Sequence, residues 1–184
     1  MMDPILRVEC NEPGGLVVRR ITLAPLTLGK LEEYWEKLSK FPTLFNNHIT
    51  DFNDFVGAFL SMDSNGIRAR GLIWEVDDVG LIFMTDIYPV FQASGHFTFW
   101  DRRFRGREKL IREMIKYAFK EFGFRRIVAE VPLYTQPTLK AVERVGFVKE
   151  GRYRKYVFYQ GEWWDVNFYS ILKEEVLEDG VPEA

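Results

Sequence analysis

The chain has 184 residues, of which 47% are hydrophobic and 16% aromatic, and its formal net charge is −2. This composition predicts one compact domain over residues 1–184 with a full core. The weakly negative charge excludes a protein that is basic throughout, so we expect no stable nucleic-acid partner. Cys10 is the only cysteine, which excludes an intrachain disulfide and favours a reducing compartment. With no apolar run of membrane-spanning length, we expect a soluble cytoplasmic protein.

The first half of the chain predicts strands around two helices. Residues 1–15 end in a turn cluster and predict an N-terminal arm, and residues 16–23 predict the first strand. Apolar residues at helical spacing predict a helix within residues 26–41, and a second, shorter helix follows at residues 50–60. Three strands come next, and they occupy residues 67–76, 80–88 and 95–100.

The second half begins with a helix whose apolar stripe runs over residues 110–122 and whose C-terminal cap is Gly123. A buried strand over residues 125–131 leads to a short helix that ends at Gly146. The last two elements are long aromatic strands joined by a tight turn, and residues 174–184 predict a tail. These elements occupy residues 110–122, 125–131, 137–146, 151–160 and 163–172.

A basic cluster marks the start of the third helix. Residues 101–110, DRRFRGREKL, place arginines and a lysine around Gly106, where the helix macrodipole already puts positive charge. A bound polyanion would remove this conflict. Backbone N–H groups at a strand, glycine loop and helix junction bind phosphate, and arginine adds charge-assisted hydrogen bonds. The alternative is a solvated charged surface with no ligand.

The element order and these motifs resemble the GNAT (Gcn5-related N-acetyltransferase) superfamily. Residues 103–108 resemble its coenzyme A loop, and the pairs Gly123-Phe124 and Gly146-Phe147 fall where the family has Gly-aromatic pairs. The closing stretch, residues 159–175, resembles the branch that acetylates protein N-termini and small amines. The resemblance covers residues 16–173.

This resemblance implies an α/β fold with a mixed, mostly antiparallel twisted sheet flanked by helices. It also implies an acetyl-CoA-dependent N-acetyltransferase that moves an acetyl group directly to an amine, either a protein N-terminus or a small amine. A homodimer is a further expectation. The alternative is a GNAT-like domain that no longer catalyses and serves as a CoA-binding or structural module. Two departures from the family favour that alternative, because Glu108 replaces Gly or Ala and Glu143 replaces a general-acid Tyr.

The resemblance also implies which residues contact the cofactor. Backbone amides near residues 105–108 would hold the pyrophosphate, with Gly106 leaving space for it and arginine side chains adding contacts. The full set of implied cofactor residues is Phe99, Trp100, Arg103, Phe104, Arg105, Gly106, Arg107, Glu108, Thr135 and Thr138.

Several groups are candidates for proton transfer. His96 is the leading general base because an unperturbed histidine titrates near neutrality, although it could instead be a structural residue among aromatic rings. Glu130 is a rival base acting through a water, or a carboxylate paired with an arginine. Thr138, Tyr134 or a water could stand in as the acid for the leaving thiolate. One cysteine and two histidines do not supply a zinc site at recognised spacing, so we expect no metal.

Overall fold

The computed structural model describes residues 5–41, 44–45, 49–101 and 104–177. The strands are β1 (Leu6–Glu12), β2 (Gly15–Leu23), β3 (Leu60–Asp63), β4 (Gly66–Ala69), β5 (Leu72–Val76), β6 (Gly80–Tyr88), β7 (Gln92–Phe99), β8 (Arg126–Pro132), β9 (Val148–Tyr159) and β10 (Glu162–Leu172). The helices are α1 (Leu28–Leu38), α2 (Phe52–Phe59), α3 (Arg107–Phe122) and α4 (Gln136–Val145).

One large sheet organises the molecule. Its strand order is β1-β2-β5-β6-β7-β8-β10-β9, while β3 and β4 form a separate two-stranded sheet. Neighbouring strands are antiparallel, apart from β7 and β8, which run parallel. The predicted fold class, a mixed and mostly antiparallel sheet flanked by helices, is confirmed.

The sheet has a helix layer on each face. Along β5 and β6, Ile73 and Phe83 belong to a core with α1 and α2, whereas Trp74 and Met84 belong to a core with α3 and α4. This alternation follows from the two-residue period of a strand, which sends successive side chains to opposite faces. Among the described residues, none of the helices is both long and apolar enough to cross a lipid bilayer.

Three elements differ from the sequence-based expectations, and one of them is β3 over Leu60–Asp63, where no strand was expected. Residues 6–12, expected to belong to an arm, form β1, because Val8 and Cys10 alternate with polar residues and are buried against the core. The run over residues 67–76, expected as one strand, breaks at Gly71. A Cβ there would lie 2.7 Å from the Phe59 ring, so the chain passes too close to α2 for any side chain.

Helix α3 ends as predicted, and its start shows why Gly106 is a glycine. The C-cap Gly123 adopts a left-handed conformation with φ 67°. At the other end, a Cβ on Gly106 would lie 2.3 Å from Cys10 Cβ and 2.6 Å from Cys10 Sγ. The Cys10 thiol also contacts the Gly106 carbonyl at 3.7 Å. The hydrogen atom of Gly106 therefore faces strand β1, and the expectation that it leaves space for a phosphate is wrong.

Substituting Gly106 tests this close approach. We expect Gly106→Ala to lower the free energy of unfolding by about 1–3 kcal/mol, because β1 or the loop must move to admit the methyl group. Gly29→Ala is the matched control, since a Cβ at Gly29 meets nothing within 4 Å, and an exposed helical glycine gains about 0.5–1 kcal/mol from this change. Urea denaturation measures both variants. Equal stability of the two would contradict the packing of Gly106 against Cys10.

Candidate active site

The candidate site lies where β7 and β8 part. The two parallel strands pair only over residues 92–94 and 126–128. Beyond this point β7 stays with β6 as far as Phe99, and β8 stays with β10 as far as Pro132. The sheet therefore splits into two halves with a wedge-shaped gap between them, which we call the cleft.

The cleft contains a cavity of about 260 Å³. Side chains and backbone of β7, β8 and α4 form most of its wall, with Arg107 contributed by the start of α3. Its lining residues are Phe41, Leu44, Gly95, His96, Phe97, Thr98, Phe99, Arg107, Ala129, Glu130, Val131, Pro132, Thr135, Pro137, Thr138, Ala141 and Val142.

Two helix N-termini flank the cleft with no side chain capping either of them. Gly106 precedes α3 and Thr135 precedes α4, and in both cases the structure shows no side-chain cap. The Thr135 hydroxyl instead donates a hydrogen bond to the Pro132 carbonyl at 2.7 Å. At α3 the first-turn amides are therefore donors that an anion or another polar ligand can use. At α4, Pro137 has no N–H group and the Thr138 N–H donates to the Thr135 carbonyl at 2.9 Å.

Four of the residues implied as cofactor contacts line the cleft: Phe99, Arg107, Thr135 and Thr138. Two others, Phe104 and Gly106, lie in the loop that leads from β7 into α3. Phe104 is buried with its ring 5.2 Å from that of Phe99, and the Arg107 guanidinium donates two hydrogen bonds, of 3.1 and 2.8 Å, to the Phe104 carbonyl. Arg107 thus closes the loop against the first turn of α3.

The lining of the cleft does not include Trp100, Arg105 or Glu108. Arg105 is exposed, and the Trp100 ring lies 5.3 Å from the Lys37 ammonium. Glu108 lies 3.7 Å from Arg144 of α4, so a cation faces the carboxylate that departs from the family pattern. Arg103 lies outside the described residues.

A second, larger cavity of about 900 Å³ adjoins the cleft. Aliphatic and aromatic side chains form much of its wall, and Arg70, Asp86 and Glu130 contribute charge. The residues that line both this cavity and the cleft are Leu44, Gly95, His96, Ala129 and Glu130. The two candidate bases therefore stand at the junction of the two cavities.

His96 is held by contacts from β6. Its ring stacks on the Phe83 ring with centroids 4.8 Å apart and an interplanar angle of 11°, and its Nε2 lies 3.0 Å from Thr85 Oγ1. Burial lowers the pKa of His96 to about 4, and the charge of Asp86 partly opposes this shift. The imidazole is therefore neutral at physiological pH, whereas the sequence suggested titration near neutrality.

Glu130 lies on β8 across the junction from His96. Its negative charge is the largest cause of the raised pKa of Tyr156 on β9. The Glu130 carboxylate therefore lies close to the Tyr156 hydroxyl, and both residues line the larger cavity.

Sequence reasoning missed Thr85 and Asp86, both of which line the larger cavity. Thr85 Oγ1 lies 3.1 Å from Asp86 Oδ2. The pairing of β6 with β7 is irregular between Thr85 and Tyr88, and Asp86 has φ 47°. A threonine followed by an aspartate within a strand matches no recognisable motif. Thr85 and Asp86 can be identified only from the irregular pairing and the register of β6 with His96.

Glu143, the residue that replaces the family tyrosine, accepts a hydrogen bond of 3.0 Å from the Tyr169 hydroxyl. It does not line the cleft in the described part of the chain, whereas Thr138, Ala141 and Val142 of the same helix do. Among these three residues, Thr138 alone carries a hydroxyl.

Comparison with known proteins identifies the class to which this fold and cleft belong. Residues 98–168 match the family model described as an acetyltransferase (GNAT) domain. An uncharacterized N-acetyltransferase, p20, of Bacillus licheniformis is 32% identical over 181 residues, which cover 87% of this chain and 97% of that protein. The chain therefore belongs to the GNAT acetyltransferase family.

Two Bacillus subtilis relatives match over shorter lengths. The putative ribosomal N-acetyltransferase YdaF is 29% identical over 117 residues, and the uncharacterized N-acetyltransferase YnaD is 34% identical over 62 residues. These alignments span 63% and 36% of the two relatives and 61% and 34% of this chain. The chain thus matches less than two thirds of either protein.

Solved structures confirm the fold. A chimera of the Vibrio cholerae spermidine N-acetyltransferase SpeG with hSSAT superposes with a TM-score of 0.68 at 19% identity, covering 85% of this chain and 97% of that one. The Vibrio cholerae spermidine N-acetyltransferase in complex with CoA and spermine superposes with a TM-score of 0.65 at 19% identity, with the same coverage. The family uses acetyl-CoA as its acetyl donor.

The neutral state of His96 has a measurable consequence. In the unfolded chain the imidazole binds a proton below about pH 6.5, whereas the folded protein resists protonation until about pH 4. Unfolding therefore takes up protons between these values, and stability falls as the pH is lowered through this window. In His96→Gln we expect the number of protons taken up on unfolding to be smaller by up to about one. The pH dependence of the unfolding free energy in urea, between about pH 7 and pH 5, measures this number. Identical pH slopes for the two proteins would contradict an imidazole that stays neutral in the folded protein.

Proposed function

We propose that this protein is an acetyl-CoA-dependent N-acetyltransferase whose acceptor is a small amine or the amino terminus of a peptide. The observation that carries the proposal is the junction of two cavities at His96 and Glu130. A donor in the cleft and an acceptor in the larger cavity meet there. Family membership and the cleft between β7 and β8 support the donor, and the wall of the larger cavity supports the acceptor.

The cleft suits an extended ligand that carries phosphate. Arg107 and the uncapped start of α3 offer positive charge and amide donors at one part of its wall. Thr98 Oγ1 is buried on this wall and has no hydrogen-bond partner among the described residues. A polar ligand would satisfy that hydroxyl. When bound, acetyl-CoA supplies an acetyl group activated as a thioester.

The larger cavity suits an amine. Asp86 and Glu130 place carboxylates on its wall, which favour an ammonium group, and aromatic rings such as Phe45 and Phe59 favour an apolar substituent. Arg70 adds one cation, which would suit a carboxylate or carbonyl on the acceptor. This mixed wall is compatible with both acceptor classes.

The chain offers a base and an acid on the two sides of the junction. His96, already neutral, can accept the proton that the amine loses, and Glu130 is the second candidate for this role. The Thr138 hydroxyl lines the cleft and is the candidate proton donor there. No nucleophilic side chain is needed, so transfer would be direct.

Blocking the cleft tests the donor site. Ala141 lines the cleft, whereas the neighbouring Lys140 is exposed and lines neither cavity. We expect Ala141→Phe to abolish the thermal stabilisation by acetyl-CoA, which in the unmodified protein should reach about 2.7 kcal/mol at a hundredfold excess over Kd. Lys140→Phe adds the same side chain to the same helix and should keep the stabilisation. Equal responses from the two variants would contradict the cleft as donor site.

Activity measurements test the reaction and its base. We expect acetyl transfer to at least one member of a panel of polyamines, arylalkylamines and peptides with free amino termini, detected by mass spectrometry with labelled acetyl-CoA. His96→Ala should lower kcat/KM by about 10²–10⁴ and leave the Kd of acetyl-CoA nearly unchanged. A protein that binds acetyl-CoA in the cleft yet acetylates no amine would instead be the inactive CoA-binding module. Near-normal turnover by folded His96→Ala would shift the base to Glu130.

A further inference from the structure

Two consecutive contacts connect His96 to Asp86. His96 Nε2 lies 3.0 Å from Thr85 Oγ1, and Thr85 Oγ1 lies 3.1 Å from Asp86 Oδ2. All three side chains line the larger cavity, and Thr85 is buried. His96 and Thr85 belong to neighbouring strands, so the arrangement depends on the register of β6 with β7.

The proton on the Thr85 hydroxyl decides which ring nitrogen of His96 is free. A hydroxyl has one hydrogen to donate, and an ionised carboxylate can only accept. Both contacts are satisfied only when Thr85 donates to Asp86 and accepts from the N–H at Nε2 of His96. A neutral imidazole carries one N–H group, so Nδ1 then holds the unprotonated lone pair.

We propose that Thr85 and Asp86 are positioning residues that hold His96 in the Nε2–H tautomer and so make Nδ1 the atom that receives the acceptor's proton. The N–H bond of the attacking amine breaks as the Nδ1–H bond forms, and the electron pair of that bond remains on the amine nitrogen. The resulting imidazolium keeps its Nε2–H bond to Thr85. The Asp86 carboxylate at the far end of the hydrogen-bonded chain balances the new charge.

The backbone and the ring contacts support this assignment. Asp86 has φ 47°, a conformation that costs energy in residues other than glycine and that aspartate tolerates better than most. The irregular pairing between Thr85 and Tyr88 accompanies this conformation, in which the carboxylate lies against its neighbouring hydroxyl. On the other side, the stacked Phe83 ring restricts the tilt of the imidazole. The backbone conformation of Asp86 therefore favours its contact with Thr85, and the Phe83 ring favours the ring orientation in which His96 contacts Thr85.

Other charged or titratable groups surround the imidazole and stay constant across the variants described below. Among the described residues that line the two cavities bordered by His96, apart from Asp86, they are Arg70, Tyr88, Arg107, Glu130 and Tyr156. Burial lowers the pKa of His96 and the Asp86 charge raises it. A carboxylate acting through Thr85 is consistent with that direction.

The catalytic value of this tautomer rests on the proposed function, but the tautomer itself does not. Three variants separate the contributions. Thr85→Val keeps the shape and removes the hydroxyl, and Thr85→Ser restores it. Asp86→Asn tolerates the same backbone conformation but can donate as well as accept, so it no longer dictates the direction of the hydrogen bonds.

Nitrogen-15 NMR of the labelled protein at neutral pH reads the tautomer directly. His48 and His96 are the only histidines, so a spectrum of His96→Gln assigns the signals. We expect a protonated Nε2 and an unprotonated Nδ1 in the unmodified protein and in Thr85→Ser. Thr85→Val and Asp86→Asn should show a mixture of tautomers. A protonated Nδ1 in the unmodified protein, or a tautomer unaffected by both Thr85→Val and Asp86→Asn, would overturn the proposal.

Steady-state kinetics then distinguish positioning from packing. We expect Thr85→Val to lower kcat by at least about tenfold with little change in the KM of either substrate, because a base in the wrong tautomer is lost to the reaction. Thr85→Ser should recover kcat to within about threefold. If Thr85→Val and Thr85→Ser both lose kcat while His96 keeps the Nε2–H tautomer in each, the positioning role is overturned. A locked tautomer with no turnover of any amine by the unmodified protein would instead refute the proposed function.

Discussion

The early separation of β7 from β8 is the constraint on which the candidate site depends. Beyond the split both strands stay paired on their outer sides, β7 with β6 and β8 with β10. From Gly95 onward, however, β7 has no strand partner towards β8. Backbone groups on that inner edge need another partner when water is excluded. The split therefore creates a place for an extended ligand and brings His96 and Glu130 to opposite sides of one opening.

The charge at the start of α3 follows the same geometry. The crossover between two parallel strands is usually a helix, and α3 begins beside the cleft that those strands open. Arg107 uses two donors on the Phe104 carbonyl and still lines the cleft, while Glu108 faces Arg144 of α4. The cationic loop is thus partly tied to the protein itself. What remains is a local positive site on a protein of net charge −2, which suits a phosphate-bearing donor.

Local patterns in the sequence predicted the elements whose causes are local. Helix α3 and its C-cap Gly123 were readable because an apolar stripe and a terminal glycine lie within one segment. The close approach of Gly106 to Cys10 was not readable, since the two residues are 96 positions apart. Thr85 and Asp86 were missed for the same reason: their role depends on irregular pairing between strands and on the register with His96. The candidate bases could be proposed from residue type, but not the burial that fixes the pKa of His96.

That burial sets the conditions under which His96 can act. Moving a proton from a free alkylammonium, pKa about 10.4, to an imidazole with a pKa of about 4 spans about 6 pKa units. This transfer costs roughly 9 kcal/mol. A turnover of about 10 per second allows a total barrier of roughly 16 kcal/mol. Full proton transfer to His96 before attack would therefore take more than half of that barrier. For an α-ammonium, pKa about 8, the cost is about 5 kcal/mol. An amine that binds as the free base instead gives its proton to the neutral imidazole after its bond to carbon has formed, when the nitrogen is far more acidic. Of the two proposed acceptor classes, a peptide N-terminus has the larger fraction of free base at neutral pH, because its pKa of about 8 is lower than that of an alkylamine.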